Sequence, residues 1–319
     1  MWADLVGDAR RAPSPHNTQA WLLDVVDETH AGVYSPADRL LPVEDPEHRF
    51  LTATVGIFVE ALRIAAAARG LDVYDELVGP AGPDALVARV ELRGGQPRAD
   101  DLRILLRRRT SRLPYDGRPA PAGALDDLAR VAAGFGHAFS ASTDPSFVRW
   151  VVELNAATLF YDLAEDDRRA EIRSWTHTSE RAARRRADGF SPRALGFPGW
   201  LIRLFFDHHR TIRPLGPLIR RLYLRQLEGT ATVGWIAGPW STPREWYDAG
   251  RMFLRFWLAA TSHGLVLQPF GSVITNPTAH ARLDERIEQT GEPVWLLLRL
   301  GYSADPPQSA RLPVERLIR

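Results

Sequence analysis

Two short stretches of the chain hold residue types that could do chemistry. Residues 11–21, "RAPSPHNTQAW", set Ser14, Pro15, His16, Asn17 and Gln19 ahead of Trp21, which opens an apolar run. Prolines stiffen such a segment, and its small side chains offer both donors and acceptors. His16 is the one histidine there; it could give a proton to a substrate or simply bond the backbone. The second stretch, residues 105–119, reads "LLRRRTSRLPYDGRP". Arg108, Thr110 and Arg112 share one face of an extended chain, and Arg108 and Arg112 share one face of a helix. Two guanidiniums flanking a hydroxyl suit a phosphate, although an arginine-rich turn in a chain without lysine has the same pattern.

All forty basic residues are arginine, and the chain has no lysine and no cysteine. Schiff-base chemistry, a Walker-type phosphate loop, thiolate catalysis, disulfides and cysteine-ligated metal are therefore excluded. The nine histidines lack metal-ligand spacing, and the adjacent His208 and His209 lie in an arginine-rich segment, so no metal site is expected. A formal net charge of +1 over 319 residues provides no whole-molecule drive toward nucleic acid or membrane. With no signal-peptide pattern and no uncharged span-length run, a cytoplasmic protein is expected.

Residues 21–34 predict a hairpin around a polar turn, residues 50–69 a helix apolar on nearly every side, and residues 85–92 a strand. That helix has a second version. "GIFVEALRIAAAARGLDV" from Gly56 aligns with "GRMFLRFWLAATSHGLVL" from Gly250 at an offset of 194, each followed by a β-rich stretch. The pattern implies an internal duplication. Residues 144–186 read as strongly helical, with "ERAARRRADG" a solvated charge run. The Gly- and Pro-broken stretch after it reads as an insertion, from about residue 173 to 228, either a lid over a pocket or a basic amphipathic element on a membrane.

"PSPHNTQAW" resembles the PS-x-x-N-x-Q-P-W signature of the nitroreductase superfamily, and "RRRTSR" resembles that family's R-x-S-x-R motif. The order of segments resembles the Acg-like branch, with two nitroreductase-type halves in one chain. The resemblance implies an α+β fold duplicated into a single-chain pseudo-dimer: antiparallel sheets flanked by helices, and long buried central helices. It divides the chain at about residue 99, into halves 1–99 and 100–319. It further implies one FMN per chain, with Ser14, Pro15, His16, Asn17 and Gln19 along the ring and Arg108, Thr110 and Arg112 on the phosphate. Arg311 is the family's C-terminal basic residue, and Gln268, Pro269, Phe270 and Gly271 pass the ring's reactive edge. The family's proline before the tryptophan is Ala20 here.

The activity so implied is an FMN-dependent oxidoreductase that moves hydride or electrons between NAD(P)H, or an organic substrate, and a flat acceptor. No catalytic side chain beyond the flavin is required. The alternative is a flavin-sequestering protein whose lid closes the pocket. Partners would be small molecules, without nucleic acid or membrane, and the chain a monomer or weak homodimer. The second, pseudo-symmetric site would decay or be filled by the insertion.

Overall fold

The computed structural model describes residues 1–208, 211 and 213–319, so His209 lies outside the described residues. Strands β1 (Leu22–Val25) and β2 (His30–Ser35) form the expected hairpin. Its turn is fixed by Asp27 Oδ1, which accepts from the amides of Thr29 and His30, both at 2.7 Å. β3 (Leu71–Leu77) and β4 (Ala85–Gly94) complete a sheet in the order β1-β2-β4-β3, antiparallel throughout. A second sheet is built from β5 (Ala138–Ser142), β6 (Thr232–Ala237), β7 (Val266–Pro269) and β8 (Val294–Gly301). Its order, β5-β6-β8-β7, repeats the first, and it too is antiparallel.

The described helices are α1 (Trp2–Ala9), α2 (Arg49–Ala67), α3 (Asp100–Arg107), α4 (Ala122–Ala133), α5 (Pro145–Asp162), α6 (Asp166–Ser174) and α7 (Glu180–Arg186). They continue with α8 (Pro192–Leu195), α9 (Gly199–Asp207), α10 (Gly216–Gln226), α11 (Pro243–Ser262), α12 (Gly271–Thr275) and α13 (Pro277–Arg286). The segment 144–186, read as strongly helical, holds three helices, α5, α6 and α7. α2 is long and apolar enough to cross a membrane, but most of it is buried inside the protein.

α2 and α11 are the two helices read as duplicates, and they cross at the glycines that align. A Cβ on Gly56 would collide with the Tyr247 carbonyl, and one on Gly250 with the Ala53 carbonyl. Tyr247 and Ala53 each stand three residues before the opposite glycine, so the contact is reciprocal, as in an isologous interface. Glycine is needed at this pair because the two backbones touch.

Each sheet also pairs with a segment that is distant from it along the chain. After α3 the chain runs to the second sheet, where Thr110 bridges Leu267 and Tyr115 bridges Ser303. After β8 the C-terminus returns to the first, where the Leu23 amide donates to Leu317 O at 2.8 Å and the Val25 amide to Arg319 O at 2.9 Å. This exchange brings the arginine segment and Arg311 to the N-terminal loop.

Candidate functional site

The loop preceding β1 holds three non-glycine residues in the left-handed region: His16 at φ 49°, Asn17 at 57° and Gln19 at 54°. Such backbone is costly, about 1–3 kcal/mol per residue, and persists only when neighbours over-determine it. The neighbours here are long-range. Asn17 Nδ2 donates to Gly189 O and Ala310 O, both at 3.1 Å, while its Oδ1 accepts from Arg311 Nη1 at 2.7 Å. Gln19 donates to Ala187 O at 2.9 Å and accepts from the Leu312 amide at 2.8 Å. Ser14 Oγ accepts from the Gln19 amide at 2.9 Å. Behind the loop Trp21 is fully buried and stacks on Phe58, with centroids 4.9 Å apart.

A cavity of about 430 Å³ lies against this loop, within the range of small-molecule and cofactor sites. Ser14, Pro15, His16, Asn17, Arg108, Thr110, Arg112, Gln268, Pro269, Phe270, Gly271 and Arg311 all line it. Gln19 does not; its amide is spent behind the loop, so it shapes the site without facing it.

The arginines divide into two groups. Arg108 is buried; its Nη2 donates to Arg11 O at 3.2 Å and its guanidinium lies 4.3 Å from the Trp257 ring. Its Nε and Nη1 have no hydrogen-bond partner, and no carboxylate pairs with it among the described residues. Burial, and then the charges of Arg311, Arg109 and Arg11, hold its pKa well below the usual arginine value. Arg311 is brought down to about 9 by burial and by Arg11, Arg109 and Arg10. Its donors are taken by Arg10 O, Asn17 Oδ1, Ala310 O and Ala12 O, so it contributes charge and ties the loop to the C-terminus.

Arg112 stands apart from this cluster. Its guanidinium lies 4.6 Å from the Phe190 ring, whose centroid is 5.2 Å from that of His16. Burial lowers its pKa to about 10, and no hydrogen bond or ion pair engages it among the described residues. The expectation that Arg108 and Arg112 converge is therefore replaced by a different grouping: Arg109 and Arg11 join Arg108, while Arg112 marks the other end. Gln268 is likewise engaged, its Oε1 accepting from Arg299 Nε at 2.9 Å.

Several lining residues had no sequence signal. Glu44 contacts His16 Nε2, and Glu171 in turn accepts from the Val43 and Glu44 amides at 2.9 and 2.8 Å. Burial alone would lower the His16 pKa; the Glu44 charge and hydrogen bond, aided by Glu171 and opposed by Arg112, raise it. Glu44, which burial would raise, is lowered by His16 and Arg168. His16 Nδ1 is buried without a partner. The remaining wall is apolar and comes largely from the insertion and the helix before it, including Leu159, Phe160, Leu195, Ile202, Phe205 and Tyr223. The apolar wall thus spans the segment read as an insertion and begins on α5, ahead of residue 173.

No family model matches the chain, and no curated protein matches it. Among solved structures it is similar to the FMN- and NADPH-dependent nitroreductase NfnB from sphigopyxis sp. strain HMH, at 15% identity over 69% of this chain and 98% of that one, with a TM-score of 0.43. NfnB from Mycobacterium smegmatis in complex with NADPH matches at 15% identity over 65% of this chain and 89% of that one, TM-score 0.40. A Bacteroides fragilis nitroreductase with bound FMN matches at 16% identity over 64% and 89%, TM-score 0.37.

Proposed function

We propose that the chain is a flavoprotein oxidoreductase of the nitroreductase type, two related halves joined near residue 99, with one FMN per chain. The observation that carries this reading is Arg108. A buried guanidinium with two unpartnered nitrogens, pressed by three other arginines and without a carboxylate partner among the described residues, favours an anion beside it. A phosphate suits these donors, since Nε and Nη1 each keep an uncommitted N–H beside the positive charge. FMN has such a phosphate at one end and a flat ring edged with carbonyls at the other.

On this reading Arg108, with Arg11 and Arg109, holds the phosphate, and Thr110 lies alongside. Ser14, Pro15, His16 and Asn17 face the ring as a strained, fixed edge, and Arg112 and His16 stand at the ring end. When bound, FMN supplies hydride transfer between a reductant such as NAD(P)H and a flat acceptor. The protein's part is to orient the ring, to exclude water with the apolar wall, and to hold a proton on His16 beside Glu44. Internal pairing of the halves leaves the chain a monomer or weak homodimer.

A second reading, a flavin-sequestering protein, is favoured by the same wall, because the insertion roofs the cavity. Two measurements decide. The purified protein is expected to be yellow with flavin absorption, and the Arg108→Ala/Arg112→Ala double variant to lose the flavin while keeping its fold; full flavin content in that variant would falsify the phosphate assignment. Bleaching of the colour by NAD(P)H without oxygen supports turnover, and a colour that persists supports sequestration.

A further inference from the structure

Two helices of the insertion, α9 and α10, each carry an exposed stripe that the cavity does not use. On α9 the residues turned to solvent are Trp200, 68% exposed, Arg203 and Asp207; on α10 they are Leu218, 55% exposed, Arg221 and Arg225. These spacings, three and four apart, place each set on one helical stripe. Leu215, just before α10, is 49% exposed. The inward stripes of the same helices, including Ile202, Phe205 and Tyr223, wall the cavity. Apolar side chains on both faces are unusual for a helix that meets only water on one side.

The charges on this face are also unlike those elsewhere. Residues 199–226 carry six arginines against one aspartate, in a chain whose net charge is +1. Around the two sheets most arginines are matched by acids, such as Arg63 with Asp75, Arg98 with Asp72 and Arg255 with Glu60. Arg203, Arg220, Arg221 and Arg225 have no acidic partner among the described residues, and Asp207 is already paired with Arg173 at 3.3 Å. An exposed tryptophan and leucines interleaved with unmatched arginines complement a surface that is apolar beneath and anionic above.

We propose that α9 and α10 dock on a lipid bilayer bearing anionic headgroups, with Trp200, Leu215 and Leu218 entering the interface and Arg203, Arg221 and Arg225 against the headgroups. The cavity then opens beneath a membrane-bound roof, which suits an apolar acceptor dissolved in lipid; this last consequence rests on the flavin reading, and the docking itself does not.

The test is cosedimentation of the full-length chain, freed of flavin, with vesicles of phosphatidylcholine alone and of phosphatidylcholine mixed with phosphatidylglycerol. Binding is expected only to the mixed vesicles and should weaken as salt is raised. Arg203→Gln and Arg221→Gln should each lower vesicle affinity about fivefold, and Trp200→Ser should lower it with circular dichroism unchanged. Failure to bind the mixed vesicles, or binding indifferent to all three substitutions, overturns the proposal. So does a concentration-dependent dimer that Trp200→Ser disperses, because a second copy of the chain would then cover this face. None of these outcomes bears on the flavin, whose retention is read separately by absorption.

Discussion

The crossing of α2 and α11 has two sides, and the same backbone has been filled in opposite ways. On one side Ala53, Thr54, Ile57, Trp257 and Pro269 border an open cavity. At the matching positions, offset by 194, the other side has Tyr247, Asp248, Arg251, Arg63 and Asp75. There Arg63 pairs with Asp75, whose second oxygen accepts from Tyr247 Oη at 2.9 Å, and Glu60 takes Arg255 at 2.5 Å and Arg251 at 3.4 Å. The matching space on this side is closed by the chain's own ion pairs, while the insertion lines the cavity on the other. Both sides gather arginines, half-buried on the closed side and buried at Arg108 on the open one. One side supplies its anions from the polypeptide; the other leaves Arg108 and Arg112 without any. A buried cation without a partner is costly, and on the proposed reading the open side offsets that cost with an anion from outside.

The largest effect should follow from removing the uncompensated cation. Arg108→Ala alone is expected to reduce flavin content from about one per chain on our reading to near none, with little change in melting temperature, because an unpaired buried charge has gone. Retention of flavin, measured by absorption after gel filtration, would count against the contrast. On the closed side the pattern should reverse. Glu60→Gln leaves Arg251 and Arg255 short of their shared carboxylate and should cost about 3–5 kcal/mol of stability, read by urea unfolding, with flavin content unchanged. Equal loss of flavin in this variant would show that the two sides are not independent. Smaller again is Gly250→Ala, which forces the two helices apart at their closest point and should cost about 1–3 kcal/mol.

What the sequence reveals of this arrangement is whatever is local. The loop "PSPHNTQAW", the R-x-T-x-R spacing and the repeated glycine-centred helix each lie within a few turns of chain, and each is where the sequence places it. β3 is missed because "LDVYDEL" breaks strict alternation at Val73-Tyr74 and Asp75-Glu76 and lies on an edge strand, so its pattern is weak. The grouping of charges is missed for a different reason. Spacing pairs Arg108 with Arg112, but Arg109 bends back to donate to Leu106 O and Arg108 O, and Arg11 arrives from the N-terminus. Glu44, Glu171 and Phe190 are silent in the sequence because each comes near His16 only through the tertiary fold, from segments distant along the chain.

The smallest expected effect concerns that histidine, and it sharpens the comparison because His16 and Glu44 are an ion pair on the open side. His16 has a raised pKa in the folded chain, so the pair contributes its full stabilisation below the unfolded histidine value near 6.5. That contribution is lost as pH rises through the raised value. Glu44 is lowered from 4.5, so its share is present above that value and lost as pH falls through the lowered one. The pair is therefore most effective between the two, and stability should decline as pH climbs past neutrality. In Glu44→Gln the carboxylate is gone, burial governs, and the His16 pKa should fall below its ordinary value. Titration followed by NMR of the imidazole nitrogens reads this directly: an unchanged midpoint in the variant would mean that Glu44 does not hold the proton on His16. The same variant should keep its flavin, since the phosphate end depends on Arg108 and its neighbours.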